Sequence, residues 1–296
     1  MKEKTVLLFP GQGSQYVNMH LKLSIKSKEF IAKILDELNL SNILDLMSVS
    51  EESLLPTNVS QVAIISTSLG YLKDINDEGF RFEASAGHSL GEYGALVAAG
   101  VLSFKDAVRA VSVRGDLMGK CAARRGGSMV ALLGFDKEMV EVLCKEASRF
   151  GVCVVANENS NQQIVVSGEN KAIDWVLENY KDFKVKKAIK LKVEGAFHSP
   201  LMDDAAKEFR KFLVSLEFKD FKLPVYKNID GMIYENTKYI PDILSKQIVS
   251  PVKWVDTIKN IIRDGYESCV EVGPKNILTT MLKRWTNLKC SALDGE

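Results

Sequence analysis

Ala84-Ser85-Ala86-Gly87-His88-Ser89-Leu90-Gly91-Glu92-Tyr93-Gly94-Ala95-Leu96-Val97-Ala98-Ala99-Gly100 decides how the rest of the chain is read. It reads as a strand, a sharp turn and a helix. Gly87, Ser89 and Gly91 fit the G-x-S-x-G pattern of a nucleophile elbow, in which glycines let a strained turn lift a serine hydroxyl between a sheet and the helix behind it. Ser89 is the candidate nucleophile. Behind it, Leu96 and Val97 are apolar, Gly94, Ala95, Ala98 and Ala99 are small enough for a helix to lie close on a sheet, and Gly100 supplies a stop. A plain glycine turn satisfies the same three positions, so the surrounding chain has to arbitrate.

A chain of 296 residues, 46% of them apolar, holds a full core. Its 39 basic and 38 acidic side chains leave a formal charge of +1, so no global field draws it to nucleic acid or to an anionic membrane, and a charged partner has to meet a local patch. Cys121, Cys144, Cys153, Cys269 and Cys290 form no C-x-x-C pair, which argues against a metal site and for reduced thiols in a cytoplasmic protein. The apolar run from Val6 to Phe9 is cut by Pro10-Gly11, too short for a signal peptide, and no run of eighteen apolar residues is there to span a membrane.

Thr5 to Phe9 has the pattern of a buried strand and feeds Pro10-Gly11-Gln12-Gly13-Ser14-Gln15. Tyr16 stands where G-x-G-x-x-G needs its third glycine, and G-K-[ST] is absent, so a nucleotide site is not expected. The backbone N–H groups of this turn either stabilise an oxyanion beside Ser89 or belong to a tight turn and nothing more. Helical spacing runs over 28–48 through Phe30, Ile31, Ile34, Leu35 and Leu38, again from Val62 to Leu72, and from Phe104 to Met118, where Arg109 and Arg114 stand among Ala107, Val108, Ala110 and Val111.

From 125 the rhythm becomes β-α-β-β-α-β. Strands are expected at Met129 to Leu133, Val152 to Ala156, Ile164 to Ser167 and Ala188 to Val193, and helices at Lys137 to Phe150 and Lys171 to Tyr180, with the polar hairpin Asn157 to Gln163 between the middle strands. That order predicts a ferredoxin-like subdomain, 125–195, inserted into an α/β body formed by 1–124 and 196–296. Lys181, Lys184, Lys186, Lys187, Lys190 and Lys192, with Asp182 the only acid among them, either guard an edge strand or meet an acidic partner.

Only His20, His88 and His198 are available to act as a base for Ser89. His88 adjoins the serine in the elbow and would point away, and His20 lies at a polar helix start. His198, in Gly195-Ala196-Phe197-His198-Ser199-Pro200, is the candidate base by elimination, a structural loop histidine being the alternative.

Phe9-Pro10-Gly11-Gln12-Gly13-Ser14-Gln15, Gly87-His88-Ser89-Leu90-Gly91-Glu92, Gly195-Ala196-Phe197-His198-Ser199 and Glu271-Val272-Gly273-Pro274, in this order over nearly the whole chain, resemble the malonyl-CoA:acyl carrier protein transacylases of bacterial fatty acid synthesis. The resemblance implies an α/β-hydrolase-like body with the inserted subdomain. It makes Ser89 the nucleophile and His198 its base, with no acidic third member. It gives the oxyanion-hole N–H groups to Gln12 and Leu90, the malonyl carboxylate to Arg114, and the orienting of the histidine to the main-chain carbonyl of Gln247. Phe197 resembles the variant that favours malonyl over methylmalonyl groups, and Met118 and Met129 fall at pocket-lining positions. Asn159-Ser160-Asn161-Gln162-Gln163 stands where the family often has Asn-Ser-Pro-Gly-Gln, and Lys275-Asn276 replaces a Gly-Lys.

The function expected from this is a two-step acyl transfer from malonyl-CoA to acyl carrier protein by a cytoplasmic monomer, with CoA thioester as substrate and no metal or redox cofactor. A serine esterase or thioesterase and a catalytically dead scaffold are the rivals. Arg114 argues against the first and the intact Ser89 and His198 against the second.

Overall fold

The computed structural model describes residues 4–294. β1 (Thr5–Phe9) leads into the Pro10 turn, and α1 (Ile25–Glu37) and α2 (Asn42–Val49) follow. The spacing read across 28–48 divides between these two helices because Asn39 takes left-handed backbone, φ 57°, and turns the chain. α3 (Thr57–Asp77) outruns the expected Val62 to Leu72 at both ends. β2 (Ala84–Gly87) and α4 (Glu92–Ala98) make the elbow, and α5 runs Phe104–Arg125. Next come β3 (Ser128–Leu133), α6 (Lys137–Ala147), β4 (Cys153–Ser160), β5 (Gln163–Gly168), α7 (Asn170–Asn179) and β6 (Lys187–Lys190). α8 (Asp203–Leu213), β7 (Val225–Tyr226), α9 (Ile240–Gln247), α10 (Trp254–Arg263), β8 (Ser268–Glu271), α11 (Ile277–Leu282) and β9 (Lys289–Ala292) complete the described chain.

One sheet has the order β7-β2-β1-β8-β9, with every pairing parallel. Counted by appearance in that sheet the order is 3-2-1-4-5, a doubly wound arrangement. At this level the expected body is present, a parallel α/β sheet carrying a serine elbow. β1 is central and covered on both faces: Leu7 and Phe9 belong to the larger core, Val6 and Leu8 to the core under α10 and α11. Double burial is why its sequence is continuously apolar and not alternating.

The second sheet, β4-β5-β3-β6, is antiparallel throughout, with strands and helices in the expected β-α-β-β-α-β order. Here alternation does the sorting. Val130 and Leu132 pack with Val140, Leu143, Ile173 and Val176 of α6 and α7, while Met129 and Ala131 join the larger core. β4 is tied to the segment between α9 and α10, where Val252 N donates to Ala156 O (2.8 Å) and Glu158 N to Val252 O (2.9 Å). β6 ends at Lys190, short of the expected Val193; Leu191 N still donates to Met129 O of β3 (2.9 Å), and the chain then leaves the sheet.

Candidate active site

Phe9 pairs with Gly87 at the parallel ends of β1 and β2, so the loops leaving those ends emerge side by side. They approach too closely for side chains. A Cβ on Gly91 would lie 2.0 Å from Phe9 O, and one on Gly87 would lie 2.0 Å from the carbonyl carbon of Gly91. Ser89 between them takes φ 50°. Asn228 clamps the turn: its Oδ1 accepts from Ser89 N (2.6 Å) and its Nδ2 donates to Gly87 O (2.6 Å).

The Ser89 Oγ lies 2.8 Å from His198 Nε2. On the other side of the ring, Nδ1 lies 2.9 Å from Gln247 O and 3.1 Å from Ser250 O. Both are carbonyls and only accept, so Nδ1 carries the proton and Nε2 is left to accept from the serine hydroxyl. Burial, and then the charge of Arg114, push His198 down to about 3, which makes it a neutral imidazole at pH 7. Backbone carbonyls thus orient this histidine where other serine enzymes use a carboxylate.

Arg114, 1% exposed on α5, reaches the nucleophile itself. Its Nη2 donates to Ser89 Oγ (3.0 Å) and to Gln247 Oε1 (3.1 Å), and its Nη1 donates to Gln61 Oε1 (2.7 Å). Arg109, five residues earlier, instead lies over the Phe212 ring. Gln12, Leu90, Met118, Met129 and Phe197 join Ser89, Arg114 and His198 around a cavity of about 90 Å³. Gln247 stands behind this lining, its main chain on His198 and its side chain on Arg114. His88 also borders the cavity but turns its Nε2 to Asn159 Oδ1 (2.8 Å) and its ring to Trp254. His20 lines a separate cleft with Leu23 and Ile31.

Several residues of this network carry no role in the sequence reading. Glu92 is fully buried, and its carboxylate accepts from Gln247 Nε2 (2.7 Å), Asn228 N (3.2 Å) and Tyr234 OH. Gln61 stands one residue before the helical run read from Val62, among Asn58 and Ser60, and nothing in that pattern marks it. Asn228 and Tyr234 lie in irregular segments with no pattern to mark them. Glu271 of the Glu-Val-Gly-Pro motif serves the fold: its carboxylate accepts from the N–H groups of Leu278 (3.0 Å) and Thr279 (2.7 Å) at the start of α11. Among the described residues no cluster of His, Cys, Asp and Glu is arranged to hold a metal ion, and no helix is long and apolar enough to cross a membrane.

The acyl transferase domain model matches residues 6–291. A malonyl CoA-acyl carrier protein transacylase of Bacillus subtilis (strain 168) is 35% identical over 285 residues, covering 95% of this chain and 90% of that protein. The protein of the same name from Staphylococcus aureus (strain COL) is 36% identical over 289 residues, covering 95% and 92%. Among solved structures, MCAT from Streptococcus pneumoniae superposes with a TM-score of 0.92 at 33% identity, covering 99% of this chain and 97% of that one. A malonyl-transacylase in complex with its type II PKS acyl-carrier protein superposes at 0.93 with 32% identity, covering 99% and 96%. A parallel α/β sheet, a serine held against a histidine and a family match over nearly the whole chain define an acyltransferase. The chain belongs to the acyl transferase domain family, in which malonyl CoA-acyl carrier protein transacylases are its relatives.

Proposed function

We propose that this acyltransferase moves the malonyl group from malonyl-CoA to the pantetheine thiol of an acyl carrier protein through a malonyl-serine intermediate, supplying fatty acid synthesis. The observation that carries the reading is the buried Arg114 guanidinium 3.0 Å from Ser89 Oγ. A fixed cation beside the nucleophile suits an acyl group ending in a carboxylate, and its planar fork of donors suits that carboxylate bidentately. The names of the relatives point the same way.

In the first step the Ser89 hydroxyl gives its proton to His198 Nε2 as Oγ attacks the thioester carbonyl, and the tetrahedral intermediate collapses by expelling the CoA sulfur, which takes that proton. The pantetheine thiol then gives its proton to His198 and attacks the malonyl-serine, returning Ser89. The N–H groups of Gln12 and Leu90 hold the developing oxyanion. Ser89 N is already engaged by Asn228 Oδ1 at 2.6 Å, which favours the next N–H along the chain. The thioester arrives activated, so the chemistry asks for no resident cofactor. The chain is read as two structural units, 1–124 with 196–296 and 125–195, the cavity lying where Met129 of the second faces Ser89 of the first.

Incubation with malonyl-CoA followed by intact-mass measurement tests the reading. The expected result is an adduct of one malonyl group, absent in Ser89→Ala, that is discharged on adding carrier protein. Free malonate without transfer would make the protein a hydrolase, and neither product would make it a scaffold.

A further inference from the structure

We infer that Glu92 is a positioning residue that sets acyl selectivity, by fixing the polarity of the Gln247 side-chain amide on which Arg114 is aimed. The inference rests on the malonyl reading above. Glu92 touches neither Arg114 nor the cavity. It is the first residue of α4, fully buried, and it acts through an ordered set of hydrogen bonds.

A carboxylate only accepts. Glu92 Oε2, 2.7 Å from Gln247 Nε2, therefore fixes the donor end of that amide toward itself, and the remaining N–H of the same group donates to Ser89 O at 2.9 Å. With both donors placed, Gln247 Oε1 is directed at Arg114 Nη2 (3.1 Å), while Gln61 Oε1 takes Nη1 (2.7 Å). Arg114 then has both terminal nitrogens anchored to amide oxygens, and Nη2 is left reaching Ser89 Oγ. Reversing the Gln247 amide would set an NH2 group against the guanidinium, donor facing donor. Ser89 O, which only accepts, and Arg114, which only donates, favour the same orientation, and Glu92 makes the shortest of the three contacts and brings a charged acceptor to it. Two further donors, Asn228 N at 3.2 Å and Tyr234 OH, hold Glu92 itself in place. Burial of this group opposes its ionisation and pushes its pKa up to about 7, so the acceptor-only carboxylate is the major form above that pH, and the test is run at pH 8.

Glutamine at position 92 has nearly the same shape but offers a donor as well as an acceptor, so it no longer dictates which way Gln247 points. The test uses the full chain with carrier protein and measures kcat/KM for malonyl-CoA and acetyl-CoA in the parent, Glu92→Gln, Gln247→Leu and the double variant. Gln247→Leu keeps the main-chain carbonyl that accepts from His198. Each single variant is expected to lower the malonyl-to-acetyl ratio about tenfold, and the double variant no further, because both changes break one relay. Glu92→Asp, which retains an acceptor-only carboxylate, is expected to keep more of the ratio than Glu92→Gln. Equal losses on both thioesters, an unchanged ratio, or ratios that multiply in the double variant would each overturn the inference. If Glu92→Gln does not fold, Glu92→Asp decides: its carboxylate stands one methylene further from Gln247 Nε2, so a partial loss of the ratio is expected and an unchanged ratio overturns the inference. A parent enzyme that does not prefer malonyl over acetyl would sink the malonyl reading instead, so the two failures are distinct.

Discussion

Ser89 and His198 face each other across 2.8 Å, Oγ to Nε2, and each holds left-handed backbone, φ 50° and φ 57°. Neither is a residue that adopts this conformation without strain, and the strain lies at the two groups that meet. Left-handed backbone costs an L-residue about 1–2 kcal/mol, which glycine escapes. Ser89→Gly is therefore expected to be more stable than Ser89→Ala by about 1 kcal/mol, although both lack the nucleophile. Denaturant unfolding of the two variants reads the difference directly. At an unstrained position alanine would be the more stable, so that opposite order would show the elbow to be relaxed.

The buried imidazole makes a prediction about acid. His198 has its pKa lowered from an ordinary 6.5 to about 3, so on acidification the unfolded chain takes up the proton first. The stability tied to this site is whole above about pH 6.5 and is lost as pH falls toward 3. Glu92 slopes the other way: raised from 4.5 to about 7, it favours the folded state at low pH and loses that advantage as pH rises through this window. Subtracting His198→Gln from the parent removes the glutamate and leaves the histidine. Between pH 7.5 and pH 4 the stability difference should move against the parent by about 3 kcal/mol. Parallel stability curves for the two proteins would contradict a neutral, buried His198.

Arg114 touches both the acyl pocket and the nucleophile, so its removal should harm every substrate and harm malonyl-CoA most. A hydrogen bond to a charged group is worth about 1.5–3 kcal/mol, which corresponds to roughly ten- to a hundredfold in kcat/KM. Arg114→Ala is expected to lower kcat/KM for malonyl-CoA by at least that factor beyond its effect on acetyl-CoA. Arg114→Lys should recover charge but not the fork, and so only part of the ratio. Steady-state rates with the two thioesters check this, and equal losses would refute a carboxylate partner.

β6 is an edge strand, and Lys186, Lys187 and Lys190 on and beside it are exposed, with Lys190 Nζ 3.4 Å from Asp174. Guarding an edge is one role for such lysines. Within three residues of the end of β6, however, the same segment reaches the cavity through Leu191 and Val193, so the charge lies beside the site. Changing Lys186, Lys187 and Lys190 together to Ala should raise KM for carrier protein several-fold at low salt and leave formation of the Ser89 adduct from malonyl-CoA unchanged. An unchanged KM would assign the lysines to edge protection alone.

The sequence by itself marked Ser89, because G-x-S-x-G records a steric demand that only small residues meet: the 2.0 Å approaches at Gly87 and Gly91 leave no room for a Cβ. It also gave the order of strands and helices from 128 to 190, because burial on one face writes itself as alternation along a strand, Val130 and Leu132 against Met129 and Ala131. Distance along the chain hid the rest. His198 was reached by elimination and by resemblance, and only the fold brings it 109 residues back to Ser89. Glu92, Asn228 and Tyr234 act through hydrogen bonds across 136 to 142 residues of sequence, and a hydrogen bond leaves no period, no composition and no spacing to read. Their geometry exists only once β2, β7 and the loop after it have packed together, because a buried polar atom is satisfied by whatever the tertiary structure sets within 3 Å of it.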